Sequence, residues 1–172
     1  MDNYTNARDL AELGFLQQAL EEAGLPSRLI EPNAEVPIPA LLATPDTDDD
    51  SEERYLTFTF VPLDDEDIGD LRLLQIYTVV APSVASEARA GAAELLMAVN
   101  SRLPLGHFSL NDAGELYYRY VWAVASAHKL PQPEALHVID LFLMTLGMFA
   151  STIGEVASGS RPAAEAIAGL TS

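Results

Sequence analysis

Apolar residues recur along this chain with two different periods, and the changes of period mark its elements. Leu10, Leu13, Leu16 and Leu20 fall at helical spacing and predict a first amphipathic helix. Asn6 or Thr5 is placed to cap it, Asp9 is placed near its positive end, and Gly24 with Pro26 ends it. Between Arg28 and Thr44 the prolines 32, 37 and 39 remove backbone donors, so V-P-I-P-A-L-L-A is expected to be an edge strand or an extended loop. Strict alternation follows. Leu56, Phe58 and Phe60 face one way and Tyr55, Thr57 and Thr59 the other, the pattern of a half-buried strand. Leu71 to Val80 reads as a second strand, antiparallel to the first. Pro82 and Ser83 are expected to open a second helix, with Ser83 as its cap. Its stripe is Val84, Ala88, Ala92, Leu95, Val99 and Leu103, and Ala85, Ala90, Gly91 and Ala93 leave a small-residue face.

A hairpin follows between Pro104 and Val124. N-D-A-G supplies the turn, Phe108 and Leu110 oppose His107 and Ser109, and Leu116, Tyr118, Tyr120 and Trp122 alternate with Tyr117, Arg119 and Val121. A third helix is expected from about Pro133 to about Ala157, apolar all round in its middle, so that one sheet face cannot cover it. Residues 160–172 read as a short helix or tail. The order is α-β-β-β-α-β-β-α, which predicts one α+β domain over residues 1–172 with an antiparallel sheet of about five strands and three main helices.

Composition narrows the functional classes. The 172 residues suit a single domain, and the absence of cysteine excludes disulfides, thiolate metal sites and a thiol nucleophile. The formal charge is −17, with nine basic residues that form no cluster, so no nucleic-acid partner is expected. Met1 to Arg8 is polar where a secretory signal would need an apolar core. The run from Leu141 to Ile153 is short for a membrane span. The expectation is a cytoplasmic protein with no membrane partner.

Candidate chemistry is sparse. Asp46, Asp48 and Asp50 match the first ligand positions of an EF-hand loop, but Ser51 replaces its glycine and Thr57 its final glutamate. Asp64 to Asp70 lacks even that spacing. Glu134 and His137 form one Glu-x-x-His pair where a di-iron site needs two. His128 reads as loop. No G-x-S-x-G elbow and no glycine-rich phosphate loop occurs. No catalytic residue, metal site or cofactor is assigned.

A helix ending near Asn100, then G-H-F-S-L-N-D-A-G-E-L-Y-Y-R and a long helix, resembles the YbjN family over roughly Glu94 to Tyr120. The resemblance implies a small bacterial protein similar in fold to the type III secretion chaperones, often dimeric, acting by binding proteins. With Leu56, Phe58, Phe60, Leu74, Ile76, Phe108, Leu110, Leu116 and Tyr118 in the core, the opposite sheet face presents Tyr55, Tyr77, His107, Tyr117 and Arg119. Tyr and Arg are enriched at protein interfaces, so these five are the candidate partner-binding residues. The surplus apolar surface of the third helix, or the small face of the second, is offered to a homodimer contact. The leading expectation is therefore a non-enzymatic, chaperone-like or regulatory protein that binds a protein segment through its sheet face or an edge strand. The alternative is a small-molecule-binding or enzymatic domain with a pocket between sheet and helices.

Overall fold

The computed structural model describes residues 3–34, 36–45, 54–62 and 70–170. Helix α1 (Asn3–Glu22) leads to strands β1 (Ser27–Ile30), β2 (Ala40–Ala43), β3 (Leu56–Phe60) and β4 (Leu71–Ala81). Helix α2 (Arg89–Asn100), the hairpin β5 (His107–Leu110) and β6 (Leu116–Ala125), and helices α3 (Gln132–Ala157) and α4 (Ala163–Gly169) follow. The strands form one six-stranded antiparallel sheet in the order β1-β2-β3-β4-β6-β5. The α+β class is as expected, with one strand more than expected. The chain divides into two compact units, Met1–Tyr77 with Val121–Ile139, and Thr78–Tyr120 with Asp140–Ser172.

In the first unit α1 packs on β1, β2 and β3 and buries Leu13, Leu16 and Leu20. The helix starts at Asn3, earlier than the expected caps, so Asn6 lies inside it with a buried, unpartnered Oδ1. Its C-terminus closes as expected. Leu25 N–H reaches Leu20 O at 2.8 Å and Gly24 N–H reaches Glu21 O at 3.0 Å, with Gly24 at a φ of 85° that favours glycine. The proline-rich stretch departs from expectation. Ala40–Ala43 is an inner strand between β1 and β3, and the edge is the unpredicted S-R-L-I of β1. Pro37 and Pro39 precede the paired residues, so no ladder donor is lost. Leu41, Leu56, Phe58, Phe60, Leu74 and Ile76 fill this core.

In the second unit the helix expected from Ser83 begins only at Arg89. Residues before it form turns, with Ala88 N–H on Ala85 O and Ala85 N–H on Ala157 O, both at 2.9 Å; Ala88 stands at the cap without a side-chain bond. The small-residue face of α2 is occupied within the chain, because a Cβ on Gly91 would stand 2.8 Å from the Cβ of Ala163 in α4. The hairpin turn is as expected. Asn111 Oδ1 accepts Glu115 N–H at 2.9 Å, Gly114 N–H bonds Asn111 O at 3.0 Å, and Gly114 has φ 89°. Behind it α3 buries Phe142. Tyr118 stacks on Phe108 and on Phe142, each at 4.3 Å, and Phe149 meets Phe108 edge-on at 6.4 Å. These rings pack hairpin against helix in the second unit's core.

Candidate functional site

The outer side of the hairpin gathers three of the five predicted residues. His107 lies directly opposite Arg119 in the β5–β6 register, and Tyr117 presents its ring edge to His107 at 6.3 Å. Alternation explains the arrangement, because the residues between them, Phe108 and Tyr118, are fully buried on the other side. Partial burial and the neighbouring guanidinium of Arg119 push the His107 imidazole below its ordinary value, which favours the neutral ring. His107 is exposed, whereas Tyr117 and Arg119 are half-buried and already hold partners in the chain. The other two predicted residues belong to the first unit. Tyr77 is half-buried opposite Thr57, and Tyr55 stands exposed just before β3; both also hold partners.

On each sheet edge an amide side chain takes up part of the outward backbone, which the sequence pattern did not reveal. On β5, the bond from Asn111 N–H to Glu115 O sets the ladder alternation, so the backbone groups of Phe108 point away from β6. Asn100, at the end of α2, takes both. Its Nδ2 donates to Phe108 O at 2.9 Å, and its Oδ1 accepts Phe108 N–H at 2.8 Å, as a neighbouring strand would. On β1, Gln17 Nε2 donates to the outward Ser27 O at 3.2 Å, and just beyond the strand Asn33 Nδ2 donates to Glu31 O at 3.3 Å. The outward groups of Leu29 and the N–H of Glu31 lie between those two carbonyls. Such plugging is how sheets avoid edge-to-edge pairing.

A second unpredicted cluster lies in the first unit. Arg72 on β4 bonds Asp9 at 2.8 Å and Glu12 at 2.5 Å and covers the Phe60 ring at 4.0 Å. Arg8 also bonds Glu12, at 3.2 Å, and reaches the carbonyl of Ser126. Burial raises the Asp9 pKa despite Arg72. Asp9 thus serves an ion-pair network and is not placed to serve the dipole of α1. The available signal was that Asp9 and Glu12 sit on the leucine stripe of that helix, where an acid needs a partner. Beside this cluster a cleft of about 290 Å³ is lined by Glu12, Phe15, Lys129, Leu130, Gln132 and Pro133. Glu12 is committed on both oxygens, since Oε2 accepts Leu130 N–H at 3.1 Å.

Glu134 and His137 are both exposed on α3, and His128 is an exposed loop residue. The described residues contain no group of three metal-ligating side chains. The calcium comparison on Asp46, Asp48, Asp50 and Ser51 falls outside the described residues, as does the loop from Asp64 up to Asp70; Thr57 lies in β3. Helix α3 is long and apolar enough to cross a membrane by length and composition, and a third of its most apolar window, 33%, is buried in the chain.

No curated protein matches this sequence. Among solved structures, the crystal structure of an uncharacterized protein from Methanothermobacter thermautotrophicus is similar at 14% identity and TM-score 0.49, covering 86% of this chain and 99% of that one. The YbjN family model, described as "Putative bacterial sensory transduction regulator", matches residues 46–155, which include the hairpin, both of its flanking helices up to Glu155 and well over half of the sequence. The chain belongs to the YbjN family.

Proposed function

We propose that this protein is a non-enzymatic regulator that acts by binding a protein segment on the outer side of its β5–β6 hairpin. One observation carries the reading. The hairpin's inner side is filled by the Phe108–Tyr118–Phe142 stack, while its outer side collects His107, Tyr117 and Arg119 on a rigid two-stranded support. A filled core favours recognition by surface over recognition in a pocket. With the outward groups of Phe108 taken by Asn100 and Ser27 O taken by Gln17, strand addition is hindered and side-chain contacts to the face are favoured. The family description, a sensory-transduction regulator, is consistent with such a role.

The test is a pull-down from the native cell with the tagged full chain and with a His107→Glu, Arg119→Glu variant. The expected result is a specific partner with the natural chain, lost in the variant at an unchanged melting temperature. Undiminished capture by the folded variant refutes the hairpin as the site. Unfolding of the variant shows the two side chains to be structural, and the proposal fails then as well.

A further inference from the structure

We infer that the outward face of α3 between Asp140 and Glu155 is a docking surface for an amphipathic helix of another protein, one whose apolar stripe is bracketed by Lys or Arg residues about four turns apart. This surface lies on the far side of α3 from the hairpin, since Phe142 and Phe149 of the same helix are the residues turned towards Tyr118 and Phe108. The inference is independent of the hairpin reading.

Along α3, Asp140, Leu141, Met144, Gly147, Met148, Ser151 and Glu155 recur at spacings of three and four and so share one face. All are exposed but Leu141, which is half-buried, and Met144 and Met148 stand at 56% and 65% exposure. A soluble helix normally turns polar residues outward. Here the face carries no ionisable group from Leu141 to Gly154, in a chain of charge −17. Gly147 adds a notch between the two methionines, with nothing within 4 Å of where a Cβ would sit. Flexible thioethers around a small gap are the composition of a surface that receives another apolar stripe.

The charges at its two ends choose the occupant. Asp140 is exposed at one end. At the other, Glu155 and Glu165 share the single guanidinium of Arg161, at 3.3 and 3.4 Å, so that group keeps a net negative charge. A second copy is the wrong match. Antiparallel two-fold packing centred between Gly147 and Met148 sets each Asp140 beside the other copy's Glu155, and parallel packing sets each acid against itself. An anionic bilayer is repelled by the same ends. A helix with cations about 22 Å apart satisfies both.

The probe is a designed, fluorescently labelled helical peptide with a Leu–Ala stripe and a lysine at each end, beside a twin carrying glutamates there. Anisotropy titrations use the full chain. The lysine peptide is expected to bind at least about tenfold more tightly than its twin. Met144→Lys with Met148→Lys should abolish that binding at an unchanged melting temperature, and Asp140→Lys should narrow the preference. The His107→Glu, Arg119→Glu variant should bind the peptide as the natural chain does. Equal binding of the two peptides, or full binding by the methionine variant, overturns the inference. So does a natural chain that is dimeric by light scattering and becomes monomeric in the methionine variant, since a second copy then covers the face. Sedimentation with phosphatidylglycerol vesicles that is lost in the methionine variant overturns it in favour of lipid.

Discussion

Asn100 supplies the sharpest test of how the hairpin is held. Its amide makes two hydrogen bonds, at 2.9 and 2.8 Å, to the carbonyl and N–H of Phe108, a residue only 1% exposed. Asn100→Ala removes both at once and leaves a backbone donor and acceptor facing the gap. Each lost bond costs about 0.5–1.5 kcal/mol net, and more if water cannot reach the orphaned group. Because Asn100 is half-buried, water enters part of the gap. The expected total is therefore about 2–3 kcal/mol, a fall of roughly 4–12 °C in melting temperature for a chain of this size. Urea unfolding reads the cost as a lower midpoint at an unchanged slope. Native-state exchange should show the Phe108 amide protected in the natural protein and fast in the variant. Asn100→Asp sharpens the test by its pH dependence. An ionised carboxylate still accepts Phe108 N–H but sets its second oxygen against Phe108 O, whereas the protonated acid restores a donor there. The Asp variant should thus recover towards the natural protein as pH falls to about 4. An alanine variant within about 0.5 kcal/mol of the natural protein, with Phe108 still protected, would refute the edge-plug reading.

Two further outcomes follow from buried polar groups. Arg72→Met removes the ion pairs of Asp9 and Glu12 to β4, leaving Glu12 bonded to Arg8 and to Leu130 N–H, and should cost about 3–5 kcal/mol near neutral pH. Asp9 already has a raised pKa, and losing Arg72 raises it further. A carboxylate shifted upward gains stability as pH falls through its folded pKa, so the deficit in urea midpoint should shrink between about pH 7 and pH 4; a deficit that is constant with pH refutes it. The Tyr118 hydroxyl, burial of which pushes its pKa up to about 12, donates to Leu105 O at 2.8 Å. Its contribution is complete below about pH 10 and is lost as pH rises towards 12, on the order of 1–2 kcal/mol after solvent screening. Tyr118→Phe should remove that alkaline loss, seen in melting scans, and a slope unchanged by the substitution would count against it.

What the sequence made legible was whatever local pattern decides. Alternation in L-T-F-T-F and across N-D-A-G found the strands, the turn and nearly the whole core list; Leu110, half-buried, is the exception. Pairing between distant residues was not legible. The burial of Asp9 and Glu12 depends on Arg72, some sixty residues away, and the inner position of β2 depends on S-R-L-I, four residues with no alternation to announce them. Asn100 was legible as the end of a helix and hidden as a strand partner, because nothing local says that an amide will face an open edge.

Helix α3 shows the same limit where it matters most for function. Its composition announces a surplus of apolar surface, but the surplus has no direction until Phe142 and Phe149 are fixed on the hairpin. Once they are, Met144 and Met148 must point the opposite way, and the acids at 140 and 155 become the two ends of one surface. Under the docking proposal, the acids that disfavour a second copy on this face are the ones that favour a basic partner. Raising the ionic strength should therefore weaken the lysine-ended peptide and strengthen its glutamate twin, bringing the two affinities together as the ends are screened. A gap between the peptides that is unchanged by salt would mean that Asp140 and Glu155 do not select the occupant.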